Sequence, residues 1–358
     1  MPRLLRTLAH AVPLALLAAC GFPTEVPKTP IVDLRWVVPS QSTRISVANL
    51  LPTGVTVPAD SSGFTVSVAS ASVTRTLSQD CAPCVAANML TAPKPAFVAS
   101  ASIATSVPVD IASATLTGGT LQVVVSNGYT FDPLYPNPIA GTPTGYAVIT
   151  VSNGGNVIGR DSVNGATAST RLPSGGSLTR GIALSGTITG TSPVTVSLSL
   201  NSPAGEPVLI DASRSITVTA TPTNLRVASA NVAVVNRQLN SSSTIDLTGV
   251  DSTIINHVQN GSLLLTIVNP FTVTGTLTVR LTPQGGATIT RTVPLAAGNS
   301  TPPPISFNTA ELKSLLGRSV AISYSGAVNS TAGAVNITPK QTVVVTTRLD
   351  INLQVGGT

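Results

Sequence analysis

Short segments in which Val or Leu alternates with Ser or Thr recur along the chain and most constrain its fold. Val194–Leu200 (VTVSLSL) and Thr274–Leu281 (TGTLTVRL) are two examples. A two-residue period places apolar side chains on one face of a β-strand and polar side chains on the other. Thr and Val also favour strands, because their branched Cβ packs well on a pleated surface. With 29 Gly and 28 Pro available for turns, the pattern predicts an all-β protein of short antiparallel strands.

Internal similarity predicts that the main part of the chain is duplicated. Four pairs of segments match in the same order, at offsets between 127 and 142 positions: Val98–Ile103 with Val227–Val232, Val109–Ile111 with Ile245–Leu247, Gly119–Asn127 with Gly261–Asn269, and Ile216–Val218 with Val343–Val345. Each unit is the size of one β-sandwich. We therefore expect tandem immunoglobulin-like antiparallel β-sandwiches at 97–225 and 226–358. The β region before them, 31–96, either forms a small third sheet or adds strands to the first sandwich.

One corner of the second unit supports this architecture. The segment Leu265–Phe271 (LTIVNPF) resembles the strand followed by Asn-Pro in late-embryogenesis-abundant type 2 domains, which are immunoglobulin-like sandwiches. The first unit has Asn127-Gly128-Tyr129 at the matching place and lacks the proline. The resemblance implies a sandwich and carries no function.

A single helix is predicted within the second unit, over Thr309–Gly317. Asn308 or Thr309 can cap its start, Glu311 lies in its first turn and Gly317 marks its end. Leu312, Leu315 and Leu316 would share one face, which is typical of a short helix lying across the end of a sheet.

The first residues have the architecture of a secretory signal. Arg3 and Arg6 precede an almost wholly apolar run, Leu8–Ala19, which is too short to span a bilayer as a helix. The run ends in Leu17-Ala18-Ala19-Cys20, which resembles the lipobox of bacterial lipoproteins at every position. This resemblance implies cleavage between Ala19 and Cys20 and acylation of Cys20. The alternative is an ordinary secretory signal that ends near a cysteine.

Several expectations follow from that leader. Residues 1–19 would be removed, and residues 20–30 would form the lipidated cysteine and a proline-rich tether. The lipid anchor makes the membrane the first expected partner, because two or three acyl chains hold a protein stably. Gly21 rather than Asp follows Cys20, which by the enterobacterial sorting rule favours the outer membrane over the inner membrane.

Charge and composition exclude some classes of function. The formal net charge is +6, but Lys and Arg are scattered singly, and charged residues make up 9% of the chain. A nucleic-acid-binding surface clusters its basic residues, so we expect no nucleic acid partner. Disorder is also disfavoured, because it needs low hydrophobicity and high net charge.

The sequence gives little support to catalysis. His257 is the one histidine after the leader, and glutamate occurs at Glu25, Glu206 and Glu311. Calcium-loop, zinc-helix and phosphate-loop motifs are missing from the sequence. Four aliphatic-Asp-aliphatic triplets are too far apart in sequence to indicate a metal site, and they are centred on Asp33, Asp110, Asp246 and Asp350. We expect no enzyme activity, no catalytic residue, no metal and no cofactor.

Cys81 and Cys84 form the sharpest local feature (CAPC). In the oxidising compartment that a secretory leader implies, the pair predicts a small structural disulfide. A redox-active pair would need a thioredoxin-like βαβ context, which the flanking residues do not give. The alternatives are a thiol–disulfide redox factor and two free thiols.

Aromatic residues are few, but Tyr129, Phe131, Tyr135 and Tyr146 lie within 18 positions around a proline-rich segment. An exposed ring offers a large contact face at small entropic cost, so these residues are candidates for binding a glycan or an envelope protein. The alternative is that the rings close one end of the first sandwich.

The combined expectation is a membrane-anchored, non-catalytic structural, adhesion or ligand-binding protein. The alternatives are the redox factor, a lipid-binding protein and an outer-membrane assembly partner.

Overall fold

The structure is a computed structural model that describes residues 30–136 and 143–356. The described residues form antiparallel β-sheets with a few short helices, so the predicted all-β class is confirmed. In chain order the strands are β1 (Val32–Ser46), β2 (Val55–Thr56), β3 (Phe64–Val66), β4 (Ala71–Thr76), β5 (Leu90–Lys94), β6 (Phe97–Thr105), β7 (Ile111–Asn127), β8 (Tyr146–Asn153), β9 (Asn156–Asn164), β10 (Ser177–Ala183), β11 (Gly186–Ile188), β12 (Val194–Ser202), β13 (Gly205–Ile210), β14 (Ser215–Ala233), β15 (Arg237–Asp246), β16 (Val258–Asn269), β17 (Val273–Pro283), β18 (Ile289–Leu295), β19 (Gly298–Ser300), β20 (Ile305–Phe307), β21 (Ser319–Ser330), β22 (Ala334–Ile337) and β23 (Thr342–Val355).

Four short α-helices lie between these strands: α1 (Leu77–Asp80), α2 (Ala82–Ala86), α3 (Ser252–Asn256) and α4 (Thr309–Leu315). Two 3₁₀ turns, Val47–Leu50 and Ala168–Thr170, complete the described secondary structure. None of the helices in the described ranges is long and apolar enough to cross a membrane.

The strands form two pairs of larger sheets and one ribbon. In the first half, a four-stranded sheet has the order β6-β12-β8-β9, and an eight-stranded sheet has the order β10-β7-β14-β3-β2, with β11, β4 and β22 attached. In the second half, a four-stranded sheet has the order β15-β21-β17-β18, and a five-stranded sheet has the order β1-β23-β16-β19, with β20 attached. Strands β5 and β13 form a separate two-stranded ribbon.

The two halves share one strand order. The four-stranded sheet of the first half is built from β6, β12, β8 and β9, and that of the second half from β15, β21, β17 and β18 in the same relative chain order. The central pairs of the other two sheets, β7 with β14 and β16 with β23, are also equivalent in chain order. This agreement favours the predicted internal duplication and the predicted tandem sandwiches.

Strand register places two of the four predicted segment matches at equivalent positions. Gly119–Asn127 lies at the end of β7, and Gly261–Asn269 lies at the end of β16. In the first half Thr217 pairs with Ser126, and in the second half Val344 pairs with Val268. The same strand-to-strand contact is therefore made in both units.

One predicted match is wrong. Val98–Ile103 lies on β6, whereas Val227–Val232 lies on β14, the last strand of the first unit. Strand order makes β6 equivalent to β15. Both matched segments are rich in Val, Ala and Ser, so their similarity reflects a shared β composition. The match of Val109–Ile111 with Ile245–Leu247 does fall near the passage from β6 to β7 and from β15 to β16.

Residues 31–96 are divided between the two halves. Strand β1 pairs with β23 along its length, from Val32 opposite Val355 to Ser46 opposite Thr342. Strands β2, β3 and β4 belong instead to the eight-stranded sheet of the first half. The expected boundary between residues 225 and 226 falls inside β14. Both sheet systems thus use strands from distant parts of the chain.

Burial follows the predicted alternation. On β12, Val194, Val196, Leu198 and Leu200 are buried, and the residues between them are exposed or half-buried. Such strands remove one apolar face from water, which is the main favourable term in folding. The helix predicted at Thr309–Gly317 is confirmed as α4, which ends two residues earlier than predicted. Its start is a capping box, because Asn308 Oδ1 accepts from the Glu311 amide and the Glu311 carboxylate accepts from the Asn308 amide.

An asparagine ends β7 and fixes the corner that follows. The side chain of Asn127 is buried. Its Nδ2 donates to the carbonyls of Phe131 and Leu172, at 2.9 and 2.8 Å, and its Oδ1 accepts from the amide of Tyr129 at 2.8 Å. One side chain therefore joins the strand end to two separate loops.

The equivalent strand β16 ends in the same way. Asn269 is buried, its Nδ2 donates to the carbonyls of Val273 and Ala296 at 3.0 and 2.9 Å, and its Oδ1 accepts from the amide of Phe271 at 3.1 Å. The acceptor carbonyl lies four residues after the asparagine in both units, and the donor amide lies two residues after it. This shared contact set is independent support for duplication.

Candidate functional site

The two cysteines lie beside the first half, where α1 and α2 meet. Their sulfur atoms are at disulfide-bonding distance, and their Cα atoms are 5.2 Å apart. Both residues are buried. Cys81 caps α2, since its Sγ accepts from the amide of Cys84 at 3.2 Å. The pair holds two helices that are too short to be stable by themselves.

A partly buried ion pair supports this helical segment. Arg75 Nη2 donates to the carboxylate of Asp80 at 2.8 Å, and the Asp80 side chain is almost fully buried. The hydrogen bond and charge of Asp80 raise the pKa of Arg75. Burial raises the pKa of Tyr129, and the negative charge of Asp80 raises it further. The cysteine segment and the aromatic segment are therefore close in space, although they are distant in sequence.

Two of the four aromatic candidates are core residues. Tyr129 and Phe131 are buried, with ring centroids 5.7 Å apart, and each ring centroid lies 6.2 Å from that of Phe97. Edge-to-face contacts of this kind stabilise a core beyond simple area burial. These two rings occupy the end of the first half, which matches the structural alternative rather than a ligand contact.

The other two aromatic candidates are more accessible. Tyr135 is half-buried, and the Arg171 guanidinium carbon lies 3.6 Å from its ring centroid, a cation–π contact. Asp132 orders this segment, because its Oδ1 accepts from the amides of Leu134 and Tyr135. Tyr146 is exposed at the start of β8. Residues 137–142, between these two tyrosines, lie outside the described ranges.

Lys94 was not predicted from the sequence as a site residue. It is 1% exposed, and its Nζ donates to the carbonyls of Pro95 and Pro203. Nζ also lies 5.0 Å from the ring centroid of Phe97 and 5.5 Å from that of Phe131. Burial lowers the pKa of Lys94 to about 8. A lysine usually extends to water, so the sequence alone gave no signal for this placement.

Exposed apolar side chains surround the cysteine segment. Val85, Met89 and Leu90 are each about half exposed or more, within six positions. Leu209 is also exposed, but it pairs with Thr91, so its side chain lies on the opposite face of the ribbon from that of Leu90. Met89 has φ of 63°, a left-handed conformation that is rare for a bulky residue. Its amide donates to the carbonyl of Ile210 at 2.6 Å. We call Val85, Met89 and Leu90 the clamped apolar surface.

The polar residues considered for catalysis or metal binding are dispersed. Within the described ranges, no three His, Cys, Asp or Glu residues are placed to hold a metal ion. His257 is half-buried, and its Nδ1 lies 2.7 Å from the carbonyl of Thr253. The four aspartates of the aliphatic triplets have separate partners: Asp33 with Gln354, Asp110 with Arg237, Asp246 with Thr248, and Asp350 with Arg35 and Arg348. Ala19 and Cys20, the predicted processing and lipidation residues, lie outside the described ranges.

One apolar void lies between the sheets of the first half. Val107, Leu121 and Ile158 are among the residues that line an apolar void of about 10 Å³. A single water molecule needs about this much space. The void is therefore too small for an acyl chain.

Comparison with known proteins gives no functional assignment. Neither a family model nor a curated protein sequence matches the chain. A crystal structure of a protein from Parabacteroides distasonis, provisionally described as secreted, is similar at 10% identity; the match covers 89% of this chain and 99% of that one, with a TM-score of 0.34. Empty particles of cowpea mosaic virus match at 9% identity over 84% of this chain and 93% of that chain, with a TM-score of 0.21. PNGase F, a glycosylasparaginase from Flavobacterium meningosepticum, matches at 11% identity over 80% of this chain and 99% of that chain, with a TM-score of 0.19.

Proposed function

We propose that this chain is a membrane-anchored, non-catalytic protein of the bacterial cell envelope that binds another envelope protein through the clamped apolar surface. The observation that carries the binding role is the exposure of three apolar side chains within six positions, on a segment held by several contacts. Exposed apolar clusters mark interaction sites, because water contact with apolar area is unfavourable unless a partner covers it. Methionine is also common at binding surfaces, where its flexible thioether fits varied partners.

The surroundings of this surface support binding without large rearrangement. Three contacts hold this segment in place: the Cys81–Cys84 pair, the Arg75–Asp80 ion pair, and the hydrogen bond from the Met89 amide to the Ile210 carbonyl. Ordering a surface before binding lowers the entropic cost of association. A protein partner is favoured over a glycan, because the exposed groups are aliphatic. Of the aromatic candidates that could stack on a sugar, Tyr129 and Phe131 are buried.

The anchor is supported by the lipobox that ends at Cys20. Acylation there would hold the chain at a membrane, and Gly21 favours the outer one. Mass spectrometry of the protein extracted from bacterial membranes tests this directly. We expect an N-terminal Cys20 that carries a diacylglyceryl group, and loss of both the added mass and the membrane association in C20A. C81A is the matched control and should keep the acyl group. A mature chain with an unmodified Cys20, or one that begins elsewhere, would contradict the anchor.

Site-specific crosslinking tests the binding surface. A photo-reactive phenylalanine analogue at position 89 should give a discrete adduct with an envelope protein in intact cells, and V85S/L90S should abolish that adduct. The same analogue at Val235, which is exposed on the loop between β14 and β15, is the matched control. Identical adducts from both positions, or none from position 89, would contradict the proposal. An unchanged melting temperature of V85S/L90S would show that the substitutions act at the surface.

The alternative functions have less structural support. A redox factor needs an accessible sulfur for thiol–disulfide exchange, whereas Cys81 and Cys84 are both buried and α2 has five residues. A lipid-binding protein needs a cavity between its sheets, and the void in the first half is about 10 Å³. Neither observation favours these functions over a binding module.

A further inference from the structure

A second group of exposed apolar residues lies at one end of the five-stranded sheet. Ile31 is 61% exposed, Val32 46%, Leu34 49% and Val355 41%. They occupy the start of β1 and the end of β23, which pair there. We call these four residues the apolar sheet end.

Val32, Leu34 and Val355 lie on the sheet face that packs into the core. On β1, Val32, Leu34 and Trp36 alternate along this face. They pair with Val355, Leu353 and Ile351 on β23, respectively. Burial fades along this row: Ile351 is fully buried, Leu353 nearly so, and Val355 exposed. The apolar face therefore continues past the end of the core and emerges into solvent.

The other face of the same sheet end is polar. It carries Asp33 and Arg35 on β1, and Asn352 and Gln354 on β23. Gln354 Nε2 donates to the Asp33 carboxylate at 3.2 Å. One end of the sheet is thus amphipathic, with a polar face toward water and an apolar face that the described residues leave uncovered. Elements that lie in a membrane interface have this division.

The chain enters the fold at this point. The carbonyl of Pro30 is close to the backbone of Gly356, so the segment from Cys20 arrives directly beside Ile31, Val32 and Val355. Nine residues, 21–29, separate Cys20 from Pro30. Even fully extended, they would span roughly 30 Å. A lipid on Cys20 would therefore hold the apolar sheet end within reach of the bilayer surface at all times.

We propose that the apolar sheet end inserts into the interface of the bilayer that holds the Cys20 lipid, and so fixes the orientation of the fold on the membrane. This inference rests on the proposed anchor. We choose the bilayer as the binding partner of this surface because the lipid on Cys20 would hold the apolar sheet end next to it.

Depth-dependent quenching tests this contact. Trp36 is the single tryptophan of the chain, so W36F allows one new tryptophan to report each position. The W36F/L34W chain, beginning at Cys20, is coupled through the Cys20 thiol to a maleimide phospholipid in phosphatidylcholine vesicles with brominated acyl chains. We expect loss of tryptophan emission relative to vesicles without bromine. W36F/V355W provides a second reporter in case L34W disturbs β1.

W36F/V235W is the matched control. Val235 lies just before β15, at the opposite end of that strand from Asp246. The Asp246 end leads to β16, which starts near the apolar sheet end. Because the ten residues of β15 span roughly 30 Å, Val235 is distant from the apolar sheet end. Its emission should be unchanged by bromine. Equal quenching at all three positions, or no quenching at positions 34 and 355, would overturn the proposal. Quenching that disappears in high salt would also overturn it, because charge attraction and not apolar contact would then hold the protein at the surface.

Chemical coupling separates this test from the anchor test. The maleimide lipid supplies the anchor whether or not cells acylate Cys20. Quenching at positions 34 and 355 with no acyl group on the cellular protein would contradict the anchor alone. An acylated cellular protein without quenching would contradict the membrane contact alone.

Discussion

Removal of the Lys94 ammonium should change how the stability of this protein depends on pH. Lys94 is buried between two proline carbonyls and the rings of Phe97 and Phe131. These contacts only partly replace the water that a charged ammonium loses. K94M keeps an unbranched apolar side chain in the same space and has no group to titrate there.

The sign follows from the two pKa values of Lys94. The ordinary value is 10.5, and burial lowers it to about 8 in the folded protein. Between these values the unfolded chain binds more protons than the folded one, so stability rises with pH. The charge penalty is fully present below pH 8 and is relieved as pH rises toward 10.5. The full difference corresponds to about 3 kcal/mol, of which about 2 kcal/mol is regained between pH 7 and pH 9.5.

Chemical unfolding at these two pH values measures the effect. Far-ultraviolet circular dichroism follows unfolding of the mature chain with the Cys20 thiol alkylated, which prevents exchange with the Cys81–Cys84 pair. The free energy of unfolding of the wild type relative to K94M should rise by about 2 kcal/mol from pH 7 to pH 9.5. Staying at or below pH 9.5 avoids the ionisation of unfolded tyrosines near pH 10.

A lysine on the surface provides the control. Lys313 is exposed on α4, and K313M should follow the pH dependence of the wild type. If the wild type and K94M differ by the same amount at both pH values, burial does not depress the titration of Lys94. The description of its surroundings would then be incorrect.

Three further changes test the parts of the fold around the candidate site. N127A removes the asparagine partner of one amide and three carbonyls, and N269A removes that of one amide and two carbonyls. Each should lower the free energy of unfolding by about 2–4 kcal/mol in urea titrations; a large loss in one variant and none in the other would contradict the equivalence of the two corners. C81S/C84S should lower the free energy of unfolding by about 2 kcal/mol, since the closed loop is short. Calorimetry should show a lower melting temperature, and an unchanged one would contradict a stabilising role of the disulfide. D132A frees the amides of Leu134 and Tyr135 and should speed proteolysis near position 135, whereas equal cleavage rates for D132A and wild type would contradict the capping role.

Local patterns in the sequence predicted several of the strands and α4, but not the short helices α1, α2 and α3. Alternation on β12 determines which residues face the core, because successive side chains point to opposite faces. The start of α4 was also readable, since Asn308 and Glu311 satisfy each other's backbone amides within four residues. In both cases the determining contacts lie within a few positions of each other.

Contacts between distant segments could not be predicted in this way. The pairing of β1 with β23 joins residues about 300 positions apart, and nothing in the local pattern of β1 specifies which edge it joins. The same limit applies to Lys94, which contacts the carbonyl of Pro95, directly after β5, and that of Pro203, before β13. The approach of the cysteine segment to Tyr129 is a further case, since Asp80 and Tyr129 are close only in the folded chain.

The two asparagine corners share their buried hydrogen bonds but differ in the residue that directly follows the asparagine. Each corner uses the asparagine, the amide two residues later and the carbonyl four residues later. The residue directly after the asparagine is outside this contact set, so it can vary. In the first unit it is Gly128, whose amide donates to the carbonyl of Ser215 and whose Cα lies so close to that carbonyl that a Cβ would be 2.5 Å from it. Pro270 in the second unit has no amide hydrogen to donate. The two corners therefore differ at the position that the shared geometry leaves free, while the asparagine that makes the buried hydrogen bonds is present in both units.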